Sequence, residues 1–268
     1  MTARDRIAET FAACRERNRA ALVGYLTAFD PDRDTSLALL RAAVEHGVDV
    51  IELGVAFSDP AADGDAVQGA MNRARAAGST MAGVLELAAE LRSGWDGPIV
   101  LFSYANPLLQ LGDALGSRLS EAGIDAVLVV DLPPEHAAEL RDPVEAAGIG
   151  WVTLVAPTTP ASRLPSVAKA ASGFVYAVAL RGVTGAALDA NSEELAAQLR
   201  AIGEHTERPI AVGFGIREPE QAAALAPHVD GIVVGSAFIE AAQQGTEALG
   251  AKVASIAAAL TRPEKSSS

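Results

Sequence analysis

Short apolar runs rich in β-branched residues recur along this chain, at 21–28, 48–54, 99–103, 126–130, 151–155, 174–179, 210–212 and 231–234. Most are apolar nearly throughout instead of alternating with polar residues. That is the pattern of strands buried on both faces, as in a parallel sheet covered by helices. Between the runs, apolar residues return every three or four positions, as in 36–45, 84–91, 114–122, 134–146 and 161–171. The alternation predicts βα units, and eight strands in one chain favour a closed (β/α)8 TIM barrel over an open doubly wound sheet. A helical pattern over 3–17 precedes the first strand and is available to close the barrel floor. No linker or shift of composition divides the chain, so one domain is expected over 1–268, with the polar tail 261–268 frayed.

Composition narrows the function classes. The length of 268 residues suits one barrel, and 50% hydrophobic residues allow a large core. The formal net charge of -13 argues against a nucleic-acid partner, which needs clustered Lys and Arg. It leaves a small phosphorylated substrate open, because backbone N–H groups at a helix start hold a phosphate whatever the global charge. The single cysteine, Cys14, rules out an internal disulfide and a Cys-rich metal site, and reads as a lone thiol on a polar helix. No leader pattern and no long apolar run is visible, which makes the cytoplasm the expected location and gives no membrane contact.

In a parallel barrel the chemistry collects where strands end and loops begin. Glu52 interrupts the second run near its C-terminal end. A carboxylate there is costly unless paired or protonated, and burial raises its pKa toward the range of a neutral-pH acid or base. The competing reading is a structural carboxylate bonded to backbone or to a hydroxyl. The following loop, 55–68, carries Asp59, Asp63 and Asp65 among turn-forming Ser58-Asp59-Pro60 and Asp63-Gly64. The acidic spacing matches no EF-hand, so no metal is expected. Gly182-Val183-Thr184-Gly185, Gly213-Phe214-Gly215-Ile216 and Gly235-Ser236 follow the last three runs. Glycines there let backbone approach an oxyanion, and the loops after strands seven and eight are a frequent phosphate site of this fold. Asp131, after the fourth run, reads equally as a turn or capping residue. The histidines at 46, 136, 205 and 228 have no ligand spacing, and no Gly-x-Ser-x-Gly nucleophile motif occurs.

The segment Glu52-Leu53-Gly54-Val55-Ala56-Phe57-Ser58-Asp59-Pro60-Ala61-Ala62-Asp63-Gly64 closely resembles the signature of tryptophan synthase α subunits. Tyr25-Leu26-Thr27-Ala28, Tyr104-Ala105-Asn106-Pro107, Asp131-Leu132-Pro133 and the three glycine loops occur in the same order as in that family. The resemblance implies retro-aldol cleavage of indole-3-glycerol phosphate to indole and glyceraldehyde 3-phosphate. It implies Glu52 as the proton-transfer residue and Asp63 as the partner of the indole N–H. Tyr176, Thr184, Gly185, Phe214, Gly215, Gly235 and Ser236 match substrate and phosphate positions. Tyr25, Phe102, Tyr104 and Leu128 are the implied walls of the indole pocket. It further implies an α2β2 heterotetramer, with Asp59, Pro60 and Asp131 facing a β subunit. Pyridoxal phosphate belongs to that partner, and no cofactor is expected in this chain.

The sequence departs from the family pattern at three places. Phe29 stands where a Gly is usual before Asp30-Pro31, and Ala56 and Asp65 replace usual prolines around Asp63. Losing prolines is expected to loosen that loop and to weaken the interface more than the chemistry. Two further readings keep the barrel: a stand-alone indole-producing lyase, and a catalytically weak allosteric subunit. A different sugar-phosphate isomerase would share the phosphate loops but not the Asp63 loop.

Overall fold

The computed structural model describes residues 3–179, 193–213 and 215–262. Eight parallel strands close into a barrel in sequence order: β1 (Ala21–Thr27), β2 (Val50–Gly54), β3 (Ile99–Ser103), β4 (Ala126–Val129), β5 (Gly150–Val155), β6 (Val175–Val178), β7 (Ile210–Gly213) and β8 (Gly231–Val234). All eight coincide with the apolar runs, with ends shifted by no more than two residues. Around them lie helices α1 (Ala3–Glu16), α2 (Arg33–Glu45), α3 (Asp65–Ala76), α4 (Met81–Arg92), α5 (Ala105–Leu109), α6 (Leu115–Glu121), α7 (Ala138–Ala146), α8 (Leu164–Lys169), α9 (Glu193–Gly203), α10 (Pro219–Leu225), α11 (Ser236–Ala242) and α12 (Thr246–Ala258). None of the described helices is long and apolar enough to cross a membrane.

Local chemistry sets the helix starts. Asp32 caps α2 by accepting from Thr35 N–H at 2.9 Å, and Thr80 caps α4 by accepting from Gly83 N–H at 3.1 Å. The pattern over 134–146 splits into a 3-10 turn, Pro134–His136, and α7. The stretch 55–68, expected to be loop throughout, contains the start of α3, at Asp65. Proline is favoured at a first helical position and a carboxylate suits the positive end of the helix. The Asp65 departure therefore keeps a helix-start residue at a helix start.

Side chains on the two faces of the sheet form separate cores. Outward-facing residues such as Leu22, Ile51, Leu53 and Leu101 pack under the helices. Inward-facing Val23, Val50, Val100 and Phe174 fill the lower barrel, and Ile7, Phe11 and Cys14 of α1 pack against them from below. The first helix thus closes the floor, with the Phe11 and Phe174 rings 5.6 Å apart. Cys14 is buried there and not on a polar face, and burial pushes its thiol up to about 11.

The floor also holds Thr261 and Arg262, the last described residues. Thr261 bridges to Arg19, and the Arg262 guanidinium donates to the Ala226 and Val229 carbonyls at 3.0 and 2.6 Å. These two residues, expected to fray, are tied down by backbone and side-chain bonds. At the foot of β4, Asp125, fully buried, pairs with Arg6 and Arg92 and accepts from Ile99 N–H at 2.8 Å.

Phe29 adopts a φ of +68°, in the region where glycine is at ease. This is the physical meaning of the family's usual glycine. The side chain offsets the backbone cost by burial: the ring lies in the outer core against Gly83, and Phe29 N–H donates to Ser36 Oγ at 3.1 Å. Phe29→Gly relieves about 1–2 kcal/mol of backbone strain and gives up about 3–5 kcal/mol of aromatic burial. We expect a net loss of about 2 kcal/mol, read from urea unfolding; a gain in stability would show that the ring contributes less than the backbone conformation costs.

Candidate active site

Glu52 lies on β2 in register between Tyr25 of β1 and Val100 of β3, on the inner face of the barrel. It is 1% exposed, and its Oε1 has no hydrogen-bond partner. The structural alternative, a carboxylate satisfied by backbone or hydroxyl, is therefore not what the site holds at that oxygen. Burial alone pushes the carboxyl up to about 8, so it is mainly protonated at neutral pH.

Asp63 reaches the same cavity from the loop after β2. The Tyr104 hydroxyl donates to Asp63 Oδ2 at 2.6 Å and accepts from Ala62 N–H at 3.1 Å. Phe57 stacks on Tyr104 at a centroid distance of 4.7 Å. Partial burial raises the Asp63 carboxyl, and the Tyr104 hydrogen bond pulls against that rise. The two carboxyls thus differ in kind: one has an unbonded oxygen in an apolar wall, the other is bonded and nearer to water.

Both face a cleft of about 700 Å³ of empty space. Its walls are Tyr25, Phe102, Val67, Tyr176, Ile216 and Val233, with Tyr25 and Phe102 in edge contact at 5.0 Å. Gly215, Gly235 and Ser236 also line it, where the chain leaves β7 and β8. Gly215 has a φ of +84°, and Ser236 opens α11. Among the described residues no basic side chain lines the cleft, and no group of three His, Cys, Asp or Glu is arranged to hold a metal.

A family model described as "Tryptophan synthase alpha chain" matches residues 11–267. The chain is 49% identical over 247 residues to the tryptophan synthase alpha chain of Gluconacetobacter diazotrophicus, covering 91% of this chain and 90% of that one. The chain belongs to the tryptophan synthase alpha chain family. Solved structures agree: a Mycobacterium tuberculosis tryptophan synthase chain has a TM-score of 0.89 at 35% identity, covering 96% of this chain and 98% of that chain. The alpha subunit from Legionella pneumophila str. Paris has 0.87 at 34%, covering 97% and 98%.

Against this family pattern the structure sorts the expected residues. Glu52, Asp63, Tyr25, Phe102, Tyr176, Gly215, Gly235 and Ser236 come together around one cleft. Thr184, Gly185 and Phe214 lie outside the described residues. Two of the expected indole walls are corrected. Tyr104 stands behind Asp63 and positions it, because its hydroxyl is drawn to the carboxylate. Leu128 is fully buried in the inner core and does not line the cleft. Asp131 accepts from Ala105 N–H at 2.8 Å, so it pins the start of α5, while Asp59 is exposed and bonded by Ser58. Val67 and Val233 carry no site signal in the sequence, and Ile216 stands there only as the end of a glycine motif. Apolar wall residues look like core in a sequence; only the inward parity of Val233 with Gly235 could have singled one out.

The raised pKa of Glu52 has a stability consequence. Between the ordinary value of 4.5 and about 8, the native chain holds a proton that the unfolded chain releases. Stability then falls with rising pH. The contribution of the protonated group is fully present below pH 4.5 and is lost as pH rises through about 8. The melting temperature of Glu52→Gln should gain on that of the native sequence across this window. Parallel pH profiles for the two proteins would place the Glu52 carboxyl in the ordinary range.

Proposed function

We propose that this chain catalyses the retro-aldol cleavage of indole-3-glycerol phosphate to indole and glyceraldehyde 3-phosphate, and works with a tryptophan synthase β subunit that consumes the indole. The observation that carries the reading is the buried Glu52 carboxyl with its unbonded Oε1 in an apolar cleft. The C–C bond breaks when the indole ring becomes an electron sink, which requires a proton at C3. A carboxyl group still protonated at neutral pH is suited to deliver it. The resulting carboxylate takes up the proton released as the glycerol hydroxyl becomes a carbonyl. Asp63, held by Tyr104, accepts from the indole N–H and stabilises the positive charge that builds on the ring. The aromatic and aliphatic walls suit the flat indole, and Gly215, Gly235 and Ser236 offer backbone N–H groups and a hydroxyl to the phosphate.

This chemistry asks for no cofactor in this chain; pyridoxal phosphate is assigned to the β partner. Members of the family are lyases of tryptophan biosynthesis that work with a β subunit. The partner-facing surface is read as the rim formed by Asp59, Pro60 and Asp131. The bond from Asp131 to Ala105 and the bonds from Tyr104 to Asp63 and Ala62 link three rim loops, which supports a route from partner contact to Asp63.

The deciding experiment is indole release from indole-3-glycerol phosphate, measured alone and with a β subunit. We expect weak release alone and strong release in the complex, with kcat falling as pH rises through about 8. Glu52→Gln should lower kcat by about 10²–10⁴-fold. Full turnover by that variant sinks the mechanism. A high rate alone with no complex by sedimentation favours the stand-alone enzyme, and tight β binding without indole release favours the allosteric subunit.

A further inference from the structure

Glu52 shares its cleft with two phenols and, at Oε1, is bonded to neither. Tyr25 is its register partner on β1, 4% exposed, on the same inner face. A phenol O–H beside a buried carboxyl would ordinarily turn to it, because each group has lost its water. Here the Tyr25 hydroxyl instead lies 3.2 Å from Thr27 Oγ1. Thr27 is buried at the end of the same strand, two residues on and so on the same face. The ring reaches that position by lying over Gly54. A Cβ built on Gly54 would come within 2.3 Å of the Tyr25 hydroxyl and 2.6 Å of Cζ, so only a glycine leaves the slot open.

We propose that Thr27 is a positioning residue for Glu52: its hydroxyl, with the slot over Gly54, holds the Tyr25 phenol off the Glu52 carboxyl and keeps Oε1 open to the substrate. The opposite wall shows why a threonine is used at this place. Tyr176 on β6 lies over Gly213 in the same manner, where a Cβ would meet its hydroxyl at 2.2 Å. Two residues on from Tyr176 is Val178, which offers no hydroxyl. Tyr176 is across the barrel from β2, whereas Tyr25 is on the strand hydrogen-bonded to it. The tethered phenol is the one on the strand paired with that of Glu52. A tether of this length is weak for an O–H···O bond, so the glycine slot and the hydroxyl act together.

The consequence is specific. If the phenol turned to Glu52 it would donate to the carboxylate and favour the charged form. Glu52 would then lose its proton at lower pH and have one oxygen occupied. The other titratable groups facing Glu52 among the described residues are Tyr176 on β6 and Asp63 in the loop after β2, and neither changes in the comparison below.

The test is Thr27→Val, nearly isosteric and lacking the hydroxyl, made in the native sequence and in a Tyr25→Phe background. Two readouts are taken. One is the pH profile of kcat for indole release in the complex with β. The other is direct titration of the Glu52 carboxyl by infrared difference against Glu52→Gln, without substrate. In the native background Thr27→Val should move both titrations down by roughly one pH unit. That lowers kcat near pH 8 about fivefold with KM unchanged. In the Tyr25→Phe background it should move neither, and Thr27→Ser should retain the native profile. Thr27→Ala serves the same comparison if valine unfolds the strand. An unmoved titration in the native background, or an equal shift in both backgrounds, overturns the proposal. The kinetic readout rests on the lyase reading and the infrared readout does not. Absence of indole release together with the infrared shift would therefore remove that reading and leave the role of Thr27 standing.

Discussion

The Glu52 carboxyl is kept among apolar side chains at the end of a barrel strand, and the surrounding structure can be understood as what that burial requires. An ionised carboxylate placed there without partners would cost several kcal/mol, so the group keeps its proton instead. Staying protonated requires that no cation approach, and the described walls of the cleft supply none. It requires walls that exclude water, which Phe102, Val67, Ile216 and Val233 provide. It also requires rigidity, since a mobile carboxyl would find a bond. A strand paired on both sides, to β1 and β3, gives that rigidity in a way a loop could not.

Asp63 solves a different problem by different means. Its loop has Ala56 where the family usually has a proline, so its position depends on contacts more than on stiff backbone. Those contacts are Tyr104 on the carboxylate, Phe57 stacked behind Tyr104, and the Gln68 side chain donating to the Asp63 carbonyl at 2.7 Å. The loop is therefore anchored to the stretch after β3, and that stretch is anchored through Ala105 to Asp131 after β4. A push on any of these rim segments has a bonded path to the carboxylate that faces the ring nitrogen in the reaction proposed.

Much of the fold was legible because a doubly covered parallel strand has no polar face, so its sequence signal is strong even at four or five residues. Glu52 was legible for the same reason: a charge inside such a run has nowhere to hide. What escaped was what depends on contact. Tyr104 reads as a pocket wall until its hydroxyl is seen on Asp63. Leu128 has the inward parity of a wall residue, but its depth along the barrel axis puts it in the packed core. Thr261 and Arg262 look like a solvated tail, and only the fold brings the carbonyls of Ala226 and Val229 within reach of the guanidinium. The Asp65 departure looked disruptive as a lost proline in a loop and proves to be the first residue of a helix.

Phe29 and Gly83 carry a consequence on the scale of descent. A Cβ on Gly83 would come within 2.7 Å of the Phe29 ring, so a side chain at 83 and the phenylalanine ring compete for one space. Equally, the ring keeps its place in the outer core only while position 83 presents no side chain to it. The two sites are therefore expected to vary together, with glycine at the position of Phe29 leaving room for a side chain at 83. A backbone angle tolerated at one residue thus couples it to another more than fifty positions away.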